Sequence, residues 1–391
     1  MKILLSATYF EPYHSGLSTY AFRLARGLAE LGHEVVMLTS AYDKKLALEE
    51  EMSGFRVVRV PVTFRLSKGV VMLSLPRLAR KWMAWADVVN LHLPQLESVN
   101  LVETAKRFKK PVVTTWHCDL EMRGSLFSRL AGWLTNATGK ITLSNSKAIV
   151  QNSLDYARSS KYLSPFLLRV VEVETPVELK PADPKVVEGL RNRLKLEPGE
   201  KVIGLAGRVA REKGYEYLAS ALPKIWEETP NVRVVHAGMW QGVVGEQNYQ
   251  ESIERLVKPF GEKWSSSGFL SDEEFRAFFS LIDVLAFSSL NRTESFGIVQ
   301  IEALAQGTSI VASDLPGVRQ PVLRTGMGKI VPVRDAEALA NGILKVLKAD
   351  SPNQIPEDYL KSFAINQVAL KYESIFEKVL ANESLNRTPN Q

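Results

Sequence analysis

The chain has 391 residues, 45% of them hydrophobic and 24% charged, with a formal net charge of +6; this is globular composition and more length than one domain usually takes. No apolar run reaches the roughly 18 to 20 residues that span a bilayer, and Met1-Lys2-Ile3-Leu4-Leu5 leads straight into strand-like sequence. The single cysteine, Cys118, excludes an intrachain disulfide framework and a cysteine-rich zinc site. A cytoplasmic chain of two domains is predicted. Lys and Arg are scattered, with Lys106, Arg107, Lys109 and Lys110 at one helix end, and no basic tail marks a nucleic-acid binder. The positive charge suits phosphorylated substrates and, at the inner membrane face, an anionic lipid surface.

Short apolar runs alternate with helical periodicity from end to end, the pattern of βα units in parallel sheets. In the first half, strands are predicted at 3–7, 34–39, 57–60, 88–91, 112–115 and 140–143. After the first strand, Leu17, Tyr20, Ala21, Leu24, Ala25, Leu28 and Leu31 repeat at helical spacing, and Gly32 stops the helix. Phe64, Leu66, Val70, Val71, Met72, Leu73 and Leu75 form an apolar patch beside Arg65, Lys68 and Arg77, read as a buried helix with lipid contact as the alternative. A composition break at Glu172-Val173-Glu174-Thr175-Pro176 extends through Pro181, Pro184, Pro198 and Gly199, the expected interdomain connector. The pattern then restarts: strand 202–206, loop 207–214, helix 215–226, strand 232–236, helix 272–280, strand 284–287, helix 298–306, strand 309–312. The predicted fold is α/β, two doubly wound domains over 1–176 and 177–356, with a last helix over about 357–381 and frayed residues after it.

Three segments carry chemistry. Gly207-Arg208-Val209-Ala210-Arg211-Glu212-Lys213-Gly214 follows a strand and opens a helix, placing cations at a strand's carboxyl end, where a diphosphate fits. No hydroxyl follows Lys213, so it is not a Walker A loop. Glu294 and Glu302 stand eight residues apart across a loop-to-helix junction containing Ser295, Phe296 and Gly297. If this stretch were fully helical, the acids would sit roughly 12 Å apart along the axis, too far for one metal ion to bridge. Gly16, after Ser15, opens the first helix and offers backbone N–H groups. His117 ends an apolar strand with His92 on the strand before it, and Asp119 two residues on shares its side if the chain is extended. Cys118 would point the other way.

These segments, in this order, resemble the retaining family 4 glycosyltransferases of the GT-B fold over nearly the whole chain. The resemblance rests on Glu-x7-Glu at Glu294 and Glu302, Gly-Arg-x4-Lys-Gly at Gly207 to Gly214, the glycine loop at Gly16 and the strand-terminal His117. It implies two Rossmann-like domains facing across a cleft, with a last helix that crosses back to the first. It further implies a nucleotide-sugar donor whose diphosphate is held by Arg208 and Lys213, ribose by Glu302 and transferred sugar by Glu294. The backbone of Ser295, Phe296 and Gly297 would lie near sugar and phosphates, and Gly268, Phe269 and Leu270 near the base. Two departures are Ser15-Gly16 in place of a glycine pair and the loop Asp314 to Val318, read as packing.

The expected reaction moves a hexosyl unit from a UDP- or GDP-sugar to an acceptor hydroxyl on a glycan, lipid or small molecule. It would follow a same-face mechanism with His117 positioning the sugar, and no metal or other cofactor. No carboxylate stands out as the nucleophile of a double displacement. A sugar-nucleotide epimerase of the same fold and a non-catalytic donor-binding scaffold are the alternatives.

Overall fold

The computed structural model describes residues 1–66, 69–121, 126–243, 245–349 and 355–383. It divides into one unit formed by Met1–Val177 with Ser362–Gln391 and a second formed by Glu178–Lys361. Both are α/β with doubly wound sheets, as the strand–helix alternation predicts.

In the first unit the strands are β1 (Lys2–Ser6), β2 (Glu34–Ala41), β3 (Glu49–Met52), β4 (Phe55–Pro61), β5 (Phe64–Leu66), β6 (Gly69–Val71), β7 (Val88–Leu93), β8 (Val112–Trp116), β9 (Ala148–Gln151) and β10 (Val170–Glu172). The main sheet runs β10-β9-β8-β7-β1-β2-β4-β3, parallel throughout except for antiparallel β3 against β4. Strands β7 and β8 are buried at every position, as central parallel strands covered on both faces must be. Chain direction across the sheet reverses at β1, between β2 and β7, so the connections leaving β1 and β7 part there and open a crevice at their carboxyl ends.

Helix Gly16–Glu30 follows β1, capped by Ser15, whose Oγ accepts from the Ser18 N–H at 3.1 Å. Its inner face packs against helix Ile365–Leu380 at the far end of the chain. A Cβ on Gly27 would stand 2.9 Å from Ile365 Cγ2 and 3.0 Å from the Ala369 Cβ, so glycine sets how closely the two helices approach. The buried Tyr20 and Tyr372 hydroxyls meet at 2.9 Å in the same interface.

In the second unit β11 (Lys201–Ala206), β12 (Val232–Ala237), β13 (Trp264–Gly268), β14 (Val284–Phe287), β15 (Ser309–Ser313) and β16 (Gly328–Val331) lie in the order β13-β12-β11-β14-β15-β16. All are parallel. Here the order reverses at β11, between β12 and β14. Helix Tyr215–Glu228 turns Leu218, Leu222 and Ile225 into the core with no exposed surface; truncating one of them to Ala costs about 2–5 kcal/mol.

Four expectations are corrected. Residues 140–143 are the end of helix Leu126–Ser144, and the strand is Ala148–Gln151. Thr135, Thr138 and Thr142 return their hydroxyls to carbonyls three or four residues back, which seats strand-prone residues in a helix. The patch from Phe64 is not a buried helix: it forms the antiparallel pair β5–β6, followed by helix Leu75–Trp85. The connector contains helix Pro184–Arg193, capped by Asp183. The final helix is interrupted, with Glu357–Lys361 in the second unit and Ile365–Leu380 in the first. Among the described residues, no helix is long and apolar enough to cross a membrane.

Candidate active site

The site in the second unit begins where β11 ends. Gly207 sits at φ 117° and donates its N–H to Ala237 O at 2.8 Å, and Val209 N–H reaches Met239 O at 2.9 Å. The loops leaving β11 and β12 therefore run in contact. Gly238, at φ 137°, makes this feasible, since a Cβ there would lie 2.3 Å from Gly207 O. His236 Nε2 donates to that same carbonyl at 2.8 Å while Nδ1 faces the Ser266 hydroxyl at 3.2 Å. A carbonyl only accepts, so His236 carries its proton on Nε2. Burial lowers its pKa to about 4, against the opposing hydrogen bond to Gly207. His236 is thus a neutral brace for the glycine loop, a role its place in an apolar strand gave no sign of.

Residues Arg211–Lys213 form one 3₁₀ turn, and Gly214 at φ 65° starts the next helix. The Ser288 hydroxyl, just past β14, donates to the carbonyls of Lys213 and Gly214 at 3.0 and 3.2 Å, and Leu290 N–H reaches Glu212 O at 2.8 Å. These bonds tie the cation loop to the acid-bearing segment. Lys213 Nζ ends 2.6 Å from Glu294 Oε2, and 5.1 Å from the centre of the Phe287 ring. Arg208 Nη2 lies 3.4 Å from Glu212 Oε1 and keeps about a third of its side chain exposed.

The stretch from Glu294 to Glu302 is not continuously helical. Helix Ile298–Ala305 starts only after Gly297, which sits at φ 87° where a Cβ would meet the Phe287 ring at 2.5 Å. Glu294 precedes the helix, and half-buried Glu302 lies in its second turn. Ser295 and Phe296 are buried. Gln300, absent from the expected site, holds the segment by donating through Nε2 to Phe296 O at 2.5 Å and Val318 O at 3.0 Å. Leu270 is buried and Phe269 exposed at the end of β13, two places from β11 in the sheet.

The first unit carries a separate polar cluster at its strand ends. His117 follows β8 and hydrogen-bonds through its backbone to Leu93 O at 2.8 Å. Its Nε2 meets His92 Nδ1 at 3.0 Å. Burial lowers the His117 pKa to about 3, and burial followed by the neighbouring His117 holds His92 well below the usual range. The Tyr20 ring stands perpendicular to His117 at 4.9 Å. Asp119 does not sit as a free neighbour of His117. Its Oδ1 accepts from Trp116 Nε1 at 3.0 Å and Ser160 Oγ at 2.7 Å, and it is buried. Gly16 has open space where a Cβ would go. At the crevice, Glu97 accepts from Thr8 Oγ1 at 2.9 Å and Gln95 Nε2 at 3.3 Å, and burial raises its pKa. Neither Glu97 nor Gln95 was legible, because both follow a strand without a recognisable spacing.

A glycine-braced cation loop joined to an acid segment, in the second of two doubly wound units, defines a glycosyltransferase of the GT-B fold. Residues 187–362 match the glycosyl transferases group 1 family and residues 14–161 match glycosyltransferase family 4, and the chain belongs to this family. It is 25% identical over 362 residues to phosphatidyl-myo-inositol mannosyltransferase of Mycolicibacterium smegmatis, covering 90% of this chain and 86% of the relative. To alpha-monoglucosyldiacylglycerol synthase of Acholeplasma laidlawii it is 24% identical over 327 residues, 80% of each chain. Its fold is similar to that of sucrose-phosphate synthase from Thermosynechococcus elongatus, with TM-score 0.76 and 19% identity over 98% of this chain and 100% of that one.

Proposed function

We propose that the chain is a retaining hexosyltransferase that uses a nucleotide diphosphate sugar, UDP- or GDP-linked, and delivers the sugar to a hydroxyl of a lipid-linked or glycan acceptor. The observation that carries this reading is the 2.6 Å pair between Lys213 and Glu294. It joins the diphosphate loop to the sugar-recognising acid in one place. Arg208 and Lys213 face the phosphates, Glu294 and the backbone of Ser295, Phe296 and Gly297 face the sugar, and Glu302 holds the ribose. In the reaction, the bond from the anomeric carbon to the phosphate oxygen breaks. The acceptor oxygen bonds to that carbon on the same face, and its proton passes to the departing phosphate. The two cations stabilise the charge growing there, which is the expected main electrostatic contribution and stands in for a metal ion. In the first unit, neutral His117 is the polar group offered for positioning.

The names of the two curated relatives support a lipid-borne acceptor. So does helix Leu126–Ser144, which exposes Leu130 (54%), Trp133 (63%) and Ile141 (46%). Arg169 ties the adjoining turn, with Leu168 83% exposed, to Ser144 O and Ser146 O at 3.2 and 2.7 Å. Between residues 129 and 169 stand Arg129, Lys140, Lys147, Arg158, Lys161 and Arg169 against one acid, Asp155. Exposed aromatic and aliphatic side chains among cations suit peripheral binding to an anionic bilayer.

The test is a panel of UDP-, GDP- and ADP-sugars screened by thermal shift, then product analysis with the donor that binds. An α-linked product from an α-linked donor supports retention, and an inverted product refutes it. Isomerised donor in the absence of acceptor would instead identify an epimerase.

A further inference from the structure

His92 and His117 share the proton of the hydrogen bond between them, and which of the two holds it decides what His117 offers a ligand. Their rings lie within 19° of parallel with centroids 5.2 Å apart, and His92 Nδ1 and His117 Nε2 are separated by 3.0 Å. That contact is an N–H···N hydrogen bond between neutral rings, since burial disfavours the charged form of each. It has two proton assignments. If His117 donates from Nε2, His92 must carry its own proton on Nε2. That atom is buried and finds no hydrogen-bond partner among the described residues, so the assignment leaves a buried N–H orphaned. If His92 donates from Nδ1, the orphan is a lone pair. Unpaired buried N–H groups are the rarer defect in proteins.

We propose that His92 is a positioning residue that donates its Nδ1–H to His117 Nε2, so that His117 carries its remaining proton on Nδ1 and offers a ligand oxygen a donor there. The free imidazole in water favours the opposite tautomer, with the proton on Nε2, so this form exists only because His92 imposes it. The surroundings hold the pair in register. His92 lies opposite Thr115 across the β7–β8 ladder, and the Thr115 hydroxyl bonds to the Tyr372 hydroxyl at 2.8 Å. Tyr372 in turn meets the Tyr20 hydroxyl at 2.9 Å, and the Tyr20 ring stands over both imidazoles at 4.9 and 5.9 Å. The consequence for chemistry is that His117 acts as a fixed neutral donor to a sugar or acceptor oxygen and does not serve as a proton shuttle. This inference deepens the proposed transfer reaction and rests on it for its functional part.

The test uses the full chain labelled with ¹⁵N-histidine, in which long-range ¹H–¹⁵N correlations assign protonated and bare nitrogens for all five histidines. His117 is expected to show a protonated Nδ1 and a bare Nε2. In His92→Leu the His117 proton should move to Nε2. The kcat should then fall about tenfold or more while the donor KM changes little, the pattern of lost positioning. His92→Asn, whose amide nitrogen stands in for Nδ1, should restore both the spectrum and most of the rate, and it serves as the folded variant should His92→Leu fail to fold. Protonation of wild-type His117 at Nε2, or identical spectra in wild type and His92→Leu, overturns the proposal. Absence of turnover by the wild-type chain with every sugar nucleotide would refute the transfer reading while the spectra still judge the dyad.

Discussion

Lys213 and Glu294 stand 81 residues apart in the chain, yet their side chains form a 2.6 Å ion pair with 19% and 16% of their surface exposed. The pair is partly desolvated, so each partner stabilises the other's position more than an exposed pair would. Removing the cation alone should therefore do two kinds of harm, lost phosphate stabilisation and a displaced acid. Lys213→Ala is expected to lower kcat/KM by roughly 10² to 10³. Glu294→Gln should lower it less, and the double variant should lose less than the sum of the two, with a coupling of about 0.5–3 kcal/mol. Steady-state kinetics of the four proteins checks this. Strict additivity would show that the pair does not act as a unit.

The contact between the loops after β11 and β12 depends on Gly238. Gly238→Ala should force the Gly207 carbonyl away from a Cβ otherwise 2.3 Å distant, costing about 2–4 kcal/mol and weakening donor binding. Gly242 supplies the control: it too has positive φ, 79°, but open space around it, so Gly242→Ala should cost only about 1 kcal/mol. Urea unfolding of both variants, with and without donor, separates local strain from loss of the loop contact.

Buried neutral histidines make the fold sensitive to acid. His236 has its folded pKa lowered to about 4 from an ordinary 6.5. In the unfolded chain it takes up a proton below about pH 6.5, while in the folded chain it resists until about pH 4, so its stabilisation is complete above pH 6.5 and lost as pH falls through that window. The loss amounts to about 3 kcal/mol at most for this residue, and His117, lowered to about 3, adds to it. Unfolding free energy measured from pH 7 to pH 4 should fall steeply, and His236→Asn should flatten the slope.

On the proposed assignment of Arg208 and Lys213 as the positive charge at the diphosphate, transfer is expected to survive exhaustive treatment with EDTA. Activity abolished by the chelator and restored by Mg²⁺ or Mn²⁺ would refute that assignment.

Sedimentation with vesicles tests the exposed helix face. The wild-type chain should bind phosphatidylglycerol vesicles and ignore phosphatidylcholine vesicles. Trp133→Glu with Leu168→Glu should abolish binding while leaving transfer to a water-soluble acceptor within about twofold, since exposed side chains away from the site seldom perturb the fold. Unchanged binding would exclude this face as the docking surface.

The fold was largely legible because doubly wound sheets write an alternation of apolar strands and amphipathic helices along the chain. The cation loop was legible too, since glycines at Gly207 and Gly214 bracket charged residues at a strand end. The misread at 140–143 has a local cause: Ile141 and Thr142 are strand-prone by side-chain preference, but the hydroxyls of Thr138 and Thr142 bond to carbonyls three and four residues back in the helix that contains them. What stayed hidden depends on long-range pairing. The His92–His117 bond links residues 25 apart, Tyr20 meets Tyr372 across 352 residues, and Gln300 ties Phe296 to Val318. No spacing rule reports such contacts, because each is fixed by sheet order and helix packing.

The first unit is written in two pieces, with residues 178–361 inserted between Val177 and the closing helix Ile365–Leu380. On the ribosome, the groove beside Gly27 and the hydroxyl of Tyr20 must wait for a partner still untranslated, an interval on the order of 20 to 70 seconds at typical elongation rates. The second unit, continuous in sequence, is complete before the first. Its birth order is therefore inverted relative to its position in the chain, and the half begun earliest is the one finished last.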